Sequence, residues 1–391
     1  MVSRLASLAV VILLGSFACG GSPSATNPTP DATPNPAESP TTSPSATTST
    51  SPSASRSPTP SSSPSTSPSP TLPPNVCGAP AITPAASAPA LYRASMAYDK
   101  ASKQVILFGS RRTGRASETW SWTVATGWKR LTPATSPPGR TWGNMAYDEA
   151  RQQIVLFGGQ SATASGGALR PLADTWTWDG TTWTRRSPFS SPPATVNFPM
   201  AYDAGGQRVI GVRDNGARTT ETWQWNGASW GHITTVNRPA WPKQGAGIAY
   251  ATATSEVTMF GTVYGIGVPA ADKYTWTFRG NTWTARVNPT STPVPRNFPA
   301  MSAEAGGGVL MFGGSGKGGA AYKDTWKWLQ GEWQSLTPSH HPQARLGAVM
   351  AFDSTCGTVL LYGGGQVSTQ TASTVWYDSW AWDGQEWTQV G

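Results

Sequence analysis

The strongest constraint on this chain is internal repetition. From residue 91 onward one pattern returns six times, at a period of about 50 residues. Each copy opens on a run of the Met-Ala-Tyr-Asp kind, at 96–99, 145–148, 200–203, 248–251, 301–304 and 350–353. An apolar run follows, usually ending in Gly, at 105–109, 154–159, 209–212, 257–261, 309–314 and 359–364. The third part is of the Asp-Thr-Trp-Thr-Trp kind, and the fourth is a short run around one more tryptophan. Each part is short, rich in β-branched and aromatic residues, and bounded by Gly, Pro, Asn or Asp, which are strand signals. Asp179-Gly180, Asn226-Gly227 and Asp383-Gly384 join the third and fourth parts with the left-handed geometry of two-residue hairpins. Each unit therefore predicts a four-stranded antiparallel meander, a-b-c-d. Six units predict an all-β, six-bladed propeller, with blades at about 91–138, 139–193, 194–240, 241–294, 295–343 and 344–391.

The recurring aromatics are Trp120/Trp122/Trp128, Trp176/Trp178/Trp183, Trp223/Trp225/Trp230, Trp276/Phe278/Trp283, Trp326/Trp328/Trp333 and Trp380/Trp382/Trp387. Residues i and i+2 of a strand share a face, so Trp176 and Trp178 point one way and Thr175 and Thr177 the other. A packing requirement must repeat in every blade, whereas a ligand site need not. These indoles are therefore expected to fill the gaps between blades rather than to stack sugars. The Gly-Gly doublet after strand b, the aromatic strand c and the strand-d tryptophan resemble the Kelch repeat. The resemblance covers residues 91–391 and implies that strand a lines a central channel. The third unit departs most, ending strand b in Val212-Arg213-Asp214 without the doublet, and the fourth has Gly261-Thr262.

The two ends of an a-b-c-d meander differ. The a–b and c–d turns are short here, while the b–c loops and d–a links are long and variable: 160–173, 262–273, 315–323 and 365–378. That loop face is expected to carry binding. Three tryptophans outside the repeat fall on it, Trp142, Trp241 and Trp376, along with Tyr264, Arg111, Arg112, Arg115 and the His340-His341 pair. Arg140, Lys243, Arg296 and Arg345 each stand five residues before the Met/Ile landmark of strand a, and Arg93 stands three before it. The spacing predicts a basic collar at one channel mouth. It has two readings: an anion site, or pairing with the acids that start strand c (Glu118, Asp174, Glu221, Asp324 and Asp378). Ligand candidates are accordingly Arg93, Arg140, Trp142, Trp241, Lys243, Tyr264, Arg296, Arg345 and Trp376.

Ahead of the repeats, residues 1–19 read as a signal peptide: Arg4 is the positive start and Leu5 to Leu14 the apolar stretch. Ser16-Phe17-Ala18-Cys19 resembles the end of a bacterial lipoprotein signal, which makes Cys19 the lipidation candidate; plain secretion is the alternative. Residues 20–75 are almost wholly Ser, Thr, Pro and Ala and have no aromatic residue, so they predict an extended tether of up to about 170 Å. Residues 76–391 are the propeller. An exported domain permits a disulfide, and Cys77 and Cys356 are expected to staple the lead-in to the last unit.

A net charge of +8 spread over so long a chain does not point to nucleic acid; it suits acidic surfaces. With His232, His340 and His341 as its only histidines, the chain has no spacing for a metal, and no cofactor is expected. Gly313 to Gly319 lacks the spacing and helix of a phosphate loop. The expected function is a monomeric, surface-tethered binding or scaffold propeller. Its expected partner is a protein or glycan at the cell surface, with acidic chemistry suiting the charge. The alternative is a carbohydrate-active enzyme in the same mouth. That would be epimerase-like, with acid/base groups such as Glu304 or Asp272, or, less expected, galactose-oxidase-like.

Overall fold

In the computed structural model the chain is described at residue 77 and over residues 88–111, 116–162, 169–215, 219–239, 245–261, 275–287, 291–367 and 373–391. The regular structure among these residues is all β, in six four-stranded antiparallel sheets. Strands a to d are Ser95–Asp99, Gln104–Ser110, Ser117–Thr123 and Gly127–Leu131 in blade 1, and Asn144–Asp148, Gln153–Phe157, Thr175–Trp178 and Trp183–Arg186 in blade 2. In blade 3 they are Met200–Asp203, Arg208–Asp214, Thr220–Trp225 and Trp230–Ile233, and in blade 4 Gly247–Ala251, Glu256–Phe260, Thr275–Arg279 and Thr282–Arg286. Blade 5 has Ala300–Ala303, Val309–Phe312, Thr325–Leu329 and Glu332–Leu336; blade 6 has Val349–Asp353, Thr358–Tyr362, Ser379–Trp382 and Trp387–Gln389. Each strand a packs against strand a of both neighbouring blades, blade 6 against blade 1 included. The sheets thus form a closed six-bladed β-propeller with strand a innermost.

The tryptophans are the mortar of this ring. Trp178 faces Trp183 across strands c and d, and both pack with Ile106 and Phe108 of blade 1. The same pairing gives ring centroids from 5.0 Å (Phe278–Trp283) to 5.6 Å (Trp225–Trp230) apart. Beyond burial, every strand-d indole donates a hydrogen bond to the hydroxyl that stands just before the first strand-c tryptophan of the preceding blade. Trp183 donates to Thr119 (3.0 Å), Trp230 to Thr175 (2.9 Å), Trp283 to Thr222 (2.8 Å), Trp333 to Thr275 (2.7 Å) and Trp387 to Thr325 (3.0 Å). Trp128 of blade 1 closes the circle by donating to Ser379 of blade 6 (2.8 Å). The second strand-c tryptophan has no such duty: the indole nitrogens of Trp178, Trp225 and Trp328 are buried without a partner. Phe278 can therefore stand at that position in blade 4.

Closure involves no exchanged strand among the described residues; blades 1 and 6 are each built from consecutive strands. The lead-in is pinned instead. The Leu91 amide donates to the Tyr362 hydroxyl (3.0 Å), which in turn donates to the Pro89 carbonyl. Cys77 and Cys356 form the expected disulfide, joining residues 279 apart. Ile82-Thr83-Pro84, which resembles Leu131-Thr132-Pro133 in sequence, lies outside the described residues.

Candidate functional site

The basic collar resolves into a structural module. Arg140, Arg296 and Arg345 are essentially inaccessible, at 1%, 0% and 1% exposure. Each forks onto the acid that precedes strand c: Arg140 onto Asp174 (2.7 and 2.7 Å), Arg296 onto Asp324 (2.6 and 2.8 Å) and Arg345 onto Asp378 (2.6 and 3.0 Å). The same guanidiniums donate to the carbonyls of Gly158, Gly313 and Gly363, the first glycines of the three doublets. Those doublets hold positive φ at both positions, and a Cβ on Gly159 would lie 2.7 Å from the Gly143 nitrogen. Burial alone would raise the Asp174 and Asp324 carboxyls. The hydrogen bonds and charge of Arg140 and Arg296 outweigh it and hold both below the usual carboxylate range. As ligand candidates these three arginines are therefore corrected: their donors are already committed inside the blades.

Blades 1 and 3 solve the same problem differently. Here the acid is Glu, one methylene longer, and its arginine comes from the end of strand b or just beyond it: Arg111 to Glu118 (2.8 Å) and Arg213 to Glu221 (2.7 Å). In these two blades and the three with Asp, the first strand-c tryptophan also donates to the acid, as Trp176 does to Asp174 (2.7 Å).

Arg93 is the exception. Its guanidinium lies 4.9 Å from the Tyr92 ring and 4.3 Å from the Trp142 ring. Among the described residues no carboxylate pairs with it; the Tyr92 side chain hydrogen-bonds to it, and burial pushes its pKa down. The other face of Trp142 meets Phe298, with centroids 4.8 Å apart. Blades 2 and 5 stand opposite in a ring of six, so this contact crosses the channel axis. Arg93, Trp142 and Phe298 share one repeat position and all adopt the left-handed region (φ 50°, 59° and 52°), as does Gly347 at that position in blade 6 (φ 66°). Left-handed backbone costs a non-glycine residue about 1 kcal/mol or more. The backbone is locked by hydrogen bonds between neighbours: Trp142 N–H to the Arg93 carbonyl (2.9 Å), Phe298 to Gly245 (2.6 Å) and Gly347 to Phe298 (3.0 Å). The sequence pattern flagged Arg93 and Trp142 but missed Phe298, whose shared offset from the strand-a landmark was the available signal.

Below this bar runs a cavity of about 450 Å³. Its waist is ringed by Met96, Met145, Met200, Ile248, Met301 and Met350. Its far end, on the a–b turn side, carries Tyr98, Tyr147, Tyr202, Tyr250 and Phe352, with Ala303 at the equivalent place in blade 5. The tyrosines knit blades together; Tyr98 bonds to Thr355 of blade 6 (2.6 Å), and burial, with Asp353, pushes its phenol up to about 12.

Two extra hairpins rise from the loop face: Gln160–Ala162 with Leu169–Pro171 on blade 2, and Gly365–Val367 with Ser373–Val375 on blade 6. Leu169, Arg170 and Pro171 are exposed. Trp376 covers the Arg345 guanidinium at 5.0 Å, as Tyr322 covers Arg296 at 4.5 Å, which gives it a packing role. The His340-His341 pair departs from expectation. It lies away from the channel mouth, where the Ser339 and His340 amides donate to Glu386 beside strand d of blade 6 (3.0 and 3.1 Å). Glu304 is bound to Lys327 (3.0 Å) and its own a–b turn, on the face opposite the loops. Trp241, Lys243, Tyr264, Asp272, Arg112, Arg115 and Cys19 lie outside the described residues.

No family model matches this chain, and no curated protein matches it. Solved structures do share its fold. One of them, titled "Structure of YjhT", aligns with a TM-score of 0.58 at 14% identity, over 79% of this chain and all of its own. At that identity the likeness concerns the propeller architecture.

Proposed function

We propose that this protein is an extracytoplasmic binding propeller of the Kelch type, tethered through lipid on Cys19 and the 20–75 segment, that meets a protein or glycan with its loop face. One observation carries the reading: the repeat is broken where the b–c loops and d–a links emerge. There the two added hairpins stand on blades 2 and 6, and Arg93, Trp142 and Phe298 replace one another at a single repeat position. A scaffold with variation concentrated on one face suits recognition. The disulfide suits an oxidising compartment. The hairpin of blade 2 offers an exposed apolar and cationic pair, Leu169 and Arg170, for an acidic partner.

The test is a glycan array together with a pull-down from cell surfaces, using native protein and Leu169→Asp/Arg170→Ala. Loss of the captured partner at unchanged melting temperature supports the loop face. Undiminished capture removes this hairpin from the reading. Globomycin-type inhibition of lipoprotein processing, or Cys19→Ala, should release the protein from membranes; continued membrane retention contradicts the anchor.

A further inference from the structure

The central channel has a chemistry of its own, distinct from that of the loop face. Its waist is methionine, isoleucine and alanine, with Ser302 in blade 5, and among the described residues no charged side chain stands between its two ends. Methionine adapts its shape to a ligand, and such a lining leaves the hydroxyls of a sugar without partners. Charge enters at the ends: Lys100, Glu149 and Glu304 at the a–b side, Arg93 at the other. Lys100 and Glu149 pair with each other (3.5 Å), and Glu304 pairs with Lys327. Arg93 has no acid. Its guanidinium lies against the Tyr92 and Trp142 rings and hydrogen-bonds with the Tyr92 side chain; its remaining N–H groups can fork onto a carboxylate. A partly desolvated cation with no counter-ion is unfavourable until an anion arrives.

We infer that the channel binds a monocarboxylate with a slim, unbranched, apolar body, its carboxylate on the Arg93 edge and its body along the methionine waist. From Ser95 to Tyr98 strand a of blade 1 takes three steps, roughly 10 Å, and Arg93 stands beyond its start, which fits a chain of about ten carbons. The cavity volume of about 450 Å³ lies in the usual range for small-molecule sites. Because the Trp142–Phe298 bar crosses the loop-face end, entry is from the a–b side. The notch there is Ala303, the one small residue at a position that is Tyr or Phe in the other five blades.

Titration calorimetry with decanoate, 1-decanol and glucuronate tests this on the full chain, with Arg93→Met and Ala303→Trp as variants. Decanoate should bind native protein, decanol should bind roughly ten-fold more weakly or worse, and glucuronate should not bind. Arg93→Met should abolish the preference for decanoate over decanol. Ala303→Trp, which completes the aromatic belt, should exclude decanoate. Absence of decanoate binding overturns the inference, as does glucuronate binding as tightly as decanoate. A preference for decanoate that survives Arg93→Met also overturns it. If Arg93→Met lowers the melting temperature, Ala303→Trp decides alone: unchanged decanoate affinity in that variant overturns the channel as the site.

Discussion

Two tryptophans five residues apart in one blade should respond differently to the same substitution. Trp183 and Trp178 are both 1% exposed, and their rings touch at 5.4 Å. Replacing either by Phe removes a similar volume, worth about 1 kcal/mol of cavity and lost contact. The Trp183 nitrogen, however, donates to Thr119, itself 2% exposed. Trp183→Phe deletes that bond and strands the hydroxyl, adding about 1–2 kcal/mol. The Trp178 nitrogen is buried without an acceptor, so Trp178→Phe removes an unfavourable group, which offsets about 1 kcal/mol of the lost packing. The expected losses are thus about 2–3 kcal/mol for Trp183→Phe and about 0–0.5 kcal/mol for Trp178→Phe. Urea unfolding followed by circular dichroism measures both. Equal losses, or a larger loss at Trp178, would refute the claim that the strand-d indoles are hydrogen-bonded links between blades.

Other outcomes follow from the same contacts. Arg140→Ala leaves Asp174 without its counter-ion and should cost about 3–5 kcal/mol in denaturant unfolding, more than alanine at exposed Arg185. The Asp174 and Asp324 carboxyls are depressed in the folded state, so the stability they contribute is present above the unfolded carboxylate range and lost as pH falls through their folded values. Melting temperature should accordingly drop below about pH 4, and less steeply in Asp174→Asn. Reducing Cys77–Cys356 frees a loop closed over a separation of 279 residues and should lower stability by up to about 5 kcal/mol in the chain-entropy view, read by unfolding with and without reductant.

The fold was legible because its requirements repeat. A strand-c hydroxyl and a strand-d indole must meet six times, so Thr or Ser stands before the first strand-c tryptophan in every unit. The collar was only half legible. Arginines five residues ahead of strand a look alike whether they face solvent or an acid, and the deciding signals were local. Asp accompanies the Gly-Gly doublet and the collar arginine in blades 2, 5 and 6, whereas Glu accompanies Arg111 and Arg213 in blades 1 and 3. The mouth was the least legible part. Trp142 and Phe298 come from units 156 residues apart in sequence (298 minus 142), and only closure of the ring sets them opposite each other.

The central functional claim is that binding belongs to the face where the repeat breaks, not to the repeating aromatics or the basic outer strands. The direct measurement compares partner capture by Leu169→Asp/Arg170→Ala on the loop face with capture by Lys129→Ala/Arg185→Ala on strands d of blades 1 and 2. All four of these residues are exposed. A loss of roughly ten-fold or more is expected for the first variant and native capture for the second. Native capture by the loop-face variant, with loss in the outer-strand variant, would contradict it.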